Sequence, residues 1–227
     1  MESTTVGLLR ADLHSHTRWS HDCALSPRTV VESCLRRGVT CLAVTDHNEI
    51  DGAFAVAAIA PFKVIIGEEI KTAEGEIIGL FLRERIPPRL SPEETIARIR
   101  EQGGVVVVPH PFDRLRGSRL RAAALQRLAD QIDIIEVHNA RIHLSADRVK
   151  AAAFARAHNL LVSAGSDAHT AREFGGAWVE LPDFSGPAEF LAALRQATIH
   201  GRVANPIVHL LTKLTKYRKK YLGWQPV

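Results

Sequence analysis

The sequence predicts an α/β fold, either a barrel or a doubly wound sheet, from three observations. Short β-branched runs alternate with helical stretches along most of the 227 residues. The helical stretches carry recognisable caps. Histidines and carboxylates gather where strands end, the place where such folds build their sites.

Taken in order, residues 8–14 read as a strand. Ser26-Pro27 opens a helix that Gly38 closes, with serine as N-cap, proline at the first position and glycine past the end. Residues 39–44 form a second strand, followed by an alanine-rich helix over 52–60. Apolar runs over 64–66 and 77–82 flank Glu74-Gly75 and predict a hairpin-like excursion. Ser91-Pro92-Glu93-Glu94 is a capping box whose helix should run to about Gly103. Four valines, 105–108, suit a strand buried on both faces. Helices over 119–129 and 145–158 alternate with strands over 132–137 and 160–163. A last strand over 178–181 precedes a helix over 187–196. This succession of six or seven β-then-α units carries the fold class.

Composition narrows the function. The chain is 46% hydrophobic and 24% charged, so it can bury a core and is not of low complexity. No run approaches the ~18 apolar residues of a membrane span, and residues 1–10 do not read as a signal peptide. No membrane partner is expected. Three cysteines, Cys23, Cys34 and Cys41, form no disulfide framework and no zinc ribbon, which points to the reducing cytoplasm. The net charge of +4 is concentrated in the tail: residues 200–227 hold six Lys or Arg and no acid, leaving a body with 23 basic and 25 acidic residues. Residues 1–205 are therefore expected to form one hydrolase-like domain and 206–227 a basic tail or helix.

The strand ends carry the chemistry. They deliver Asp12-Leu13-His14-Ser15-His16, Thr45-Asp46-His47, Gly67-Glu68-Glu69, Pro109-His110 and Ser166-Asp167-Ala168-His169. Residues two apart on a strand share a face, so His14 and His16, and likewise Asp167 and His169, can serve one ion. Imidazole mixed with carboxylate, without thiolate, suits zinc, manganese or iron in hydrolytic sites. Asp12 and Asp46, each beside a histidine, are expected to support ligands rather than bind. Neither a G-x-S-x-G elbow nor a P-loop is present to suggest a protein nucleophile.

The runs DLHSHTRWSHDCALSP, GVTCLAVTDHNEIDG, GEEI, VVVVPHPFD and SAGSDAH, in this order across residues 11–169, resemble the PHP family, the polymerase and histidinol phosphatase domain. The resemblance implies a distorted barrel of seven βα units holding two to three divalent metals that hydrolyse phosphoesters. It implies His14, His16 and Asp167 around one metal, and Asp22, His47 and His169 around another. Glu69 would bridge two metals and His110 would ligate one of them. Glu68 is the neighbour that a one-residue slip would substitute. Where many relatives place a histidine, this chain has Glu76, read either as a replacement ligand or as a solvated turn carboxylate. His138, at another strand end, is a further candidate for metal or substrate, and His21 a weaker alternative to Asp22.

Metals ~3.5–4 Å apart lower the pKa of a bridging water and clamp attacking and leaving oxygens. The expected reaction is thus in-line attack by a metal-bridging hydroxide on a small phosphorylated substrate, a nucleotide or short oligonucleotide. Arg18, Arg114, Arg116, Arg141 and Arg172 lie just beyond the motif strands, with Arg18 and Arg141 the chosen phosphate partners. The rivals are a barrel amidohydrolase, disfavoured because no lysine sits in a comparable strand-end motif, and an accessory PHP domain that has lost its ligands. A third is a nucleic-acid binder using the tail Lys213 to Tyr221. The tail alternatively forms an amphipathic helix with Leu210, Leu211, Leu214 and Tyr221 docked on the barrel.

Overall fold

Seven strands curl into a distorted, nearly closed barrel. The structure, a computed structural model, describes residues 7–224. Residues 1–6 of the amino-terminal stretch and 225–227 of the basic tail lie outside the described residues. Strands β1 (Leu9–Asp12), β2 (Cys41–His47) and β3 (Lys63–Thr72) run parallel; β4 (Gly75–Leu80) is antiparallel to β3 and to β5 (Val105–Val108). Strands β6 (Ile134–Asn139) and β7 (Leu161–Gly165) continue in parallel. Helices α1 (Pro27–Arg37), α2 (Asp51–Ala57), α3 (Pro92–Glu101), α4 (Ala122–Arg127) and α5 (Ser145–Ala157) make the other connections. The barrel thus has seven strands without seven βα units, because the β3–β4 turn at Gly75 replaces one helix. There φ is +133°, and an added Cβ would lie 2.4 Å from Leu120 Cα.

The caps read from the sequence form. Ser26 Oγ accepts from Thr29 N, Ser91 Oγ accepts from Glu94 N, and Gly38 closes α1 in the left-handed region at φ 67°.

Alternation along the strands sorts side chains into two layers. Cys41 and Ala43, Ile65, Ile78 and Leu80, Val105 and Val107, and Ile134 fill the barrel interior. Leu42 and Val44 face α1 and α2, while Val106 and Val108 join the outer layer with Ile99 and Leu125. The four-valine strand is indeed buried on both faces.

The last seam forms beyond the end of β1. Leu13 N donates to Ala164 O, Asp167 N donates to His14 O, and Ser15 bridges Ala168 in parallel. Gly165 permits this approach, since a Cβ there would sit 2.4 Å from His14 Cβ. On the same edge, earlier along β1, β8 (Ala177–Leu181) pairs antiparallel and leads through α6 (Pro187–Leu194) to β9 (Thr198–Gly201), a strand not expected from the sequence.

The tail forms helix α7 (Ile207–Tyr221), though not packed as expected. Leu210, Leu211, Leu214 and Tyr221 are exposed, by 43% to 65%. The helix instead packs through Val208, Thr212, Thr215 and Lys219, spaced i, i+4, i+7 and i+11. Polar anchors explain this. Lys219 Nζ donates to the carbonyls of Arg18, Ser20 and Cys23, and Arg141 Nη2 donates to Thr212 Oγ1. No helix of the described residues is long and apolar enough to cross a membrane, and all three cysteines are buried and free.

Candidate metal centre

The two-layer alternation decides which carboxylates reach the site. On β3, Glu69 shares a face with Ile65 and Gly67 and so points into the barrel. Glu68 shares the outer face with Ile66 and Ile70, and its Oε2 accepts from Ile86 N at 2.9 Å. The structure thus separates Glu68 from the cluster. On β4, Glu76 shares the inner face with Ile78 and Leu80. It is buried beside His47 and Glu69, which excludes the solvated-turn reading.

Glu69 is the hub. Its Oε2 lies 3.1 Å from His47 Nδ1, 3.4 Å from His14 Nε2 and 3.5 Å from His16 Nε2, and its Oε1 lies 3.0 Å from His110 Nε2. His14 Nε2 and His16 Nε2 converge to 3.2 Å, with Asp167 Oδ1 at 3.7 Å and 3.2 Å respectively. On the far side Asp22 stands 3.3 Å from His169 Nε2 and 3.7 Å from His47 Nε2. Glu76 Oε2 completes the group, 4.0 Å from His110 Nε2. His21 lies at the rim, half exposed, with Nε2 3.8 Å from Asp22. His110 and Asp167 adopt positive φ, 35° and 54°, in the region that non-glycine residues seldom occupy. Such strain persists only where surrounding contacts impose it.

A layer of supports fixes the imidazoles. Glu136 Oε1 lies 3.0 Å from His14 Nδ1, while its Oε2 accepts from His110 N and Asn139 Nδ2. Ser20 Oγ contacts His16 Nδ1 and donates to Asp46 Oδ1, and Thr17 Oγ1 donates to Asp46 Oδ2. Asp46 is therefore a buried acceptor behind the ligand loop. Asp12 accepts from Ser166 N and Gly175 N and so pins the β7 end. Glu136, the main support, was not singled out by the sequence. The available signal was its shared inward face with Ile134.

Two predicted residues lie away from the cavity and a third is engaged by other partners. His138 would have followed Ile134 and Glu136 inward, but a bulge between Glu136 and His138 turns it out, to 3.4 Å from Arg148. Arg141 lines the cavity above the cluster, but is 4% exposed and paired with Glu173 and α7. Arg18 lies over the Trp19 ring and does not line the cavity above the cluster. The guanidinium at the cluster is that of Arg116, whose Nη2 lies 2.5 Å from Asp167 Oδ2.

The charges of the cluster shift one another: against burial, Glu136, Asp167 and Glu69 hold His14 well above its usual value, and Glu69 and Asp22 raise His47. Burial opposes ionisation of Glu69, Asp22 and Asp167, yet their neighbours hold all three well below the usual range. These are His47 and His14 for Glu69, His169 and His47 for Asp22, and Arg116 and His14 for Asp167. Burial, with His169 and His47 nearby, pushes His16 well down and keeps its imidazole neutral, the form that ligates. Burial and the charge of Glu69 raise Glu76. Asp22 Oδ1, Glu69 Oε2, Glu76 Oε2 and Asp167 Oδ1 are buried without a hydrogen-bond partner. Each such atom costs ~1–3 kcal/mol or more if left unsatisfied. Oxygens of this kind facing imidazole nitrogens fit divalent cations, whose coordination would satisfy them.

A barrel with imidazoles and carboxylates gathered at the carboxyl ends of its strands defines the class: an α/β barrel built around a candidate metal centre. The PHP domain family matches residues 12–169 and a PHP-associated region matches 147–199, so the chain belongs to the PHP family. Two uncharacterized proteins of Methanocaldococcus jannaschii are similar. MJ1587 is 41% identical over 58% of this chain and 82% of its own length, and MJ0417 is 34% identical over 84% and 81%. A crystal structure from Bacteroides vulgatus, a two-domain protein containing a predicted PHP-like metal-dependent phosphoesterase, matches the fold. Its TM-score is 0.68 at 17% identity, covering 92% of this chain and 70% of that one.

Proposed function

We propose that this protein is a metal-dependent phosphoesterase acting on the phosphate ester of a nucleotide or short oligonucleotide. Two to three divalent ions of manganese, zinc or iron would serve it. One observation carries the reading: orphaned carboxylate oxygens face converging imidazole nitrogens beneath an open cavity, with one guanidinium beside them. His14, His16 and Asp167 would hold one ion, and Asp22, His47 and His169 a second. Glu69 joins these groups to His110 and Glu76, which would complete a third. Bound there, divalent ions supply Lewis acidity and activated water at neutral pH.

The chain's own residues do the rest. Arg116 offers a planar fork for phosphoryl oxygens and keeps Asp167 ionised. Glu136 and Ser20 fix the ring orientations of His14 and His16. Cys23, beside Asp22, is unsuited to attack, because burial pushes its thiol up. The nucleotide preference rests on family resemblance.

Elemental mass spectrometry of the purified protein, followed by aryl phosphate turnover with each ion, tests the proposal. Two to three ions per chain and ion-dependent phosphate release support it. A chain that stays metal-free after reconstitution, or that cleaves amides in preference to phosphates, overturns it.

A further inference from the structure

The cavity above the cluster is roofed by helix α7. About 770 Å³ in volume, it is lined at its base by Asp22, His47, Glu76 and His169 and on its outer wall by Lys213 and Lys216. Lone phosphate would leave most of such a space empty.

Helix α7 is oriented by polar groups against its own hydrophobic preference. Its apolar stripe, Leu210, Leu214, Tyr217 and Tyr221, faces outward. Its polar stripe turns inward, fixed at one end by Arg141 on Thr212 and at the other by the three carbonyls around Lys219. In the first turn of the helix, His209 Nε2 meets His143 Nε2 at 2.9 Å. This anchoring holds Lys213 and Lys216, one turn apart, over the cavity. Among the described residues neither lysine is paired with a carboxylate, whereas the nearer cation, Arg116, is already paired with Asp167. The cavity therefore has two tiers of positive charge, one at the reacting centre and one along the roof.

We propose that Lys213 and Lys216 form an anion subsite that takes a second negative group of the substrate, distal to the scissile phosphate. The substrate class is then a phosphate ester bearing a further phosphate or carboxylate. This rests on the phosphoesterase reading for the scissile group, while the subsite itself is a matter of binding. Lysine suits the task, because two mobile ammonium groups can meet a distal anion in more than one substrate pose. The same helix makes the basic tail part of the catalytic cavity rather than a free nucleic-acid arm.

Three matched compounds test the proposal: phenyl phosphate, 4-carboxyphenyl phosphate and 1,4-phenylene bisphosphate. Their Kd values for the manganese-loaded full chain come from calorimetry and their KM and kcat from phosphate release. In the wild type the two doubly charged compounds should bind about tenfold more tightly than phenyl phosphate, a modest effect of two solvated charges. The Lys213→Gln/Lys216→Gln variant should weaken those two about tenfold and phenyl phosphate less than threefold, with kcat moving less than twofold. Lys213→Arg/Lys216→Arg should restore the preference. The compound that loses more identifies the distal group as phosphate or carboxylate. Equal losses for all three compounds, or none for any, overturn the subsite. Discrimination in Kd without turnover would retain the subsite and remove the phosphoesterase reading instead.

Discussion

Glu136 touches two candidate ligands at once: Oε1 lies 3.0 Å from His14 Nδ1, and Oε2 accepts the backbone N–H of His110 at 2.8 Å. One buried carboxylate thus orients a ring on β1 and the strained residue that follows β5. A glutamine cannot replace it, because its amide nitrogen would face either His14 Nδ1 or the N–H groups of both His110 and Asn139. Glu136→Gln should therefore weaken metal binding ~10–100-fold, the usual cost of losing a ligand's support. Calorimetric titration with Mn or Zn measures it. An affinity within twofold of wild type would show that the hydrogen bonds do not govern the centre.

Asp167 faces three imidazoles through Oδ1 and Arg116 through Oδ2. Asp167→Asn keeps the volume but removes the charge. Phosphate release should fall by more than about a hundredfold, beyond the effect expected of a supporting residue. A near-native circular dichroism spectrum would separate this from unfolding. Full activity in a folded variant would remove the metal mechanism.

Gly165 offers a test of the seam. A methyl group there would overlap backbone and side-chain atoms of His14, with N at 2.7 Å and Cβ at 2.4 Å. Neither strand can yield without opening the β1–β7 junction. Gly165→Ala should cost about 3 kcal/mol, which is ~6–12 °C in Tm for a chain of this size. Differential scanning calorimetry decides it; a shift below 2 °C would mean that the junction is compliant.

Glu68 gives the pH prediction. Burial raises its carboxyl to about 7, with Oε1 left unpartnered. A folded pKa above the unfolded one means that the protonated group's contribution is complete below about pH 4 and is lost as pH rises through 7. Glu68→Gln has no such loss. It should match the wild type at pH 4.5 and be more stable by ~2–3 kcal/mol at pH 8.5, in urea melts with chelator present. A variant less stable at pH 8.5 would show that the ionised carboxylate is accommodated in the fold.

The sequence carried the site better than the connections between strands. His14, His16, Asp22, His47, Glu69, His110, Asp167 and His169 come together because each ends or follows a barrel strand, and the short apolar runs that precede them mark those strands. The choice of Glu69 over Glu68 was already implicit in period two, given Ile65 as an interior residue. His138 failed because a bulge adds one residue and reverses every later side chain, an event with no local sequence signature here. Arg18, Arg141 and Arg116 look alike in sequence. Their roles were fixed by their partners, namely Trp19, Glu173 and Asp167, of which only Trp19 is near in the chain. The orientation of α7 was misjudged because hydrophobicity predicts burial of Leu210 and Leu214, while three backbone carbonyls 196 to 201 residues away hold Lys219.

The β1–β7 seam also imposes an order in time. The stretch that closes on strand β1, ending in Asp167 and His169, leaves the ribosome some 150 residues after it. Until then His14 and His16 lack Asp167 and the His169 imidazole across the mouth. Any capture of an ion by the complete pocket would thereby be deferred until the last barrel strand is made, and a half-made chain would offer only the unclosed part of the ligand set.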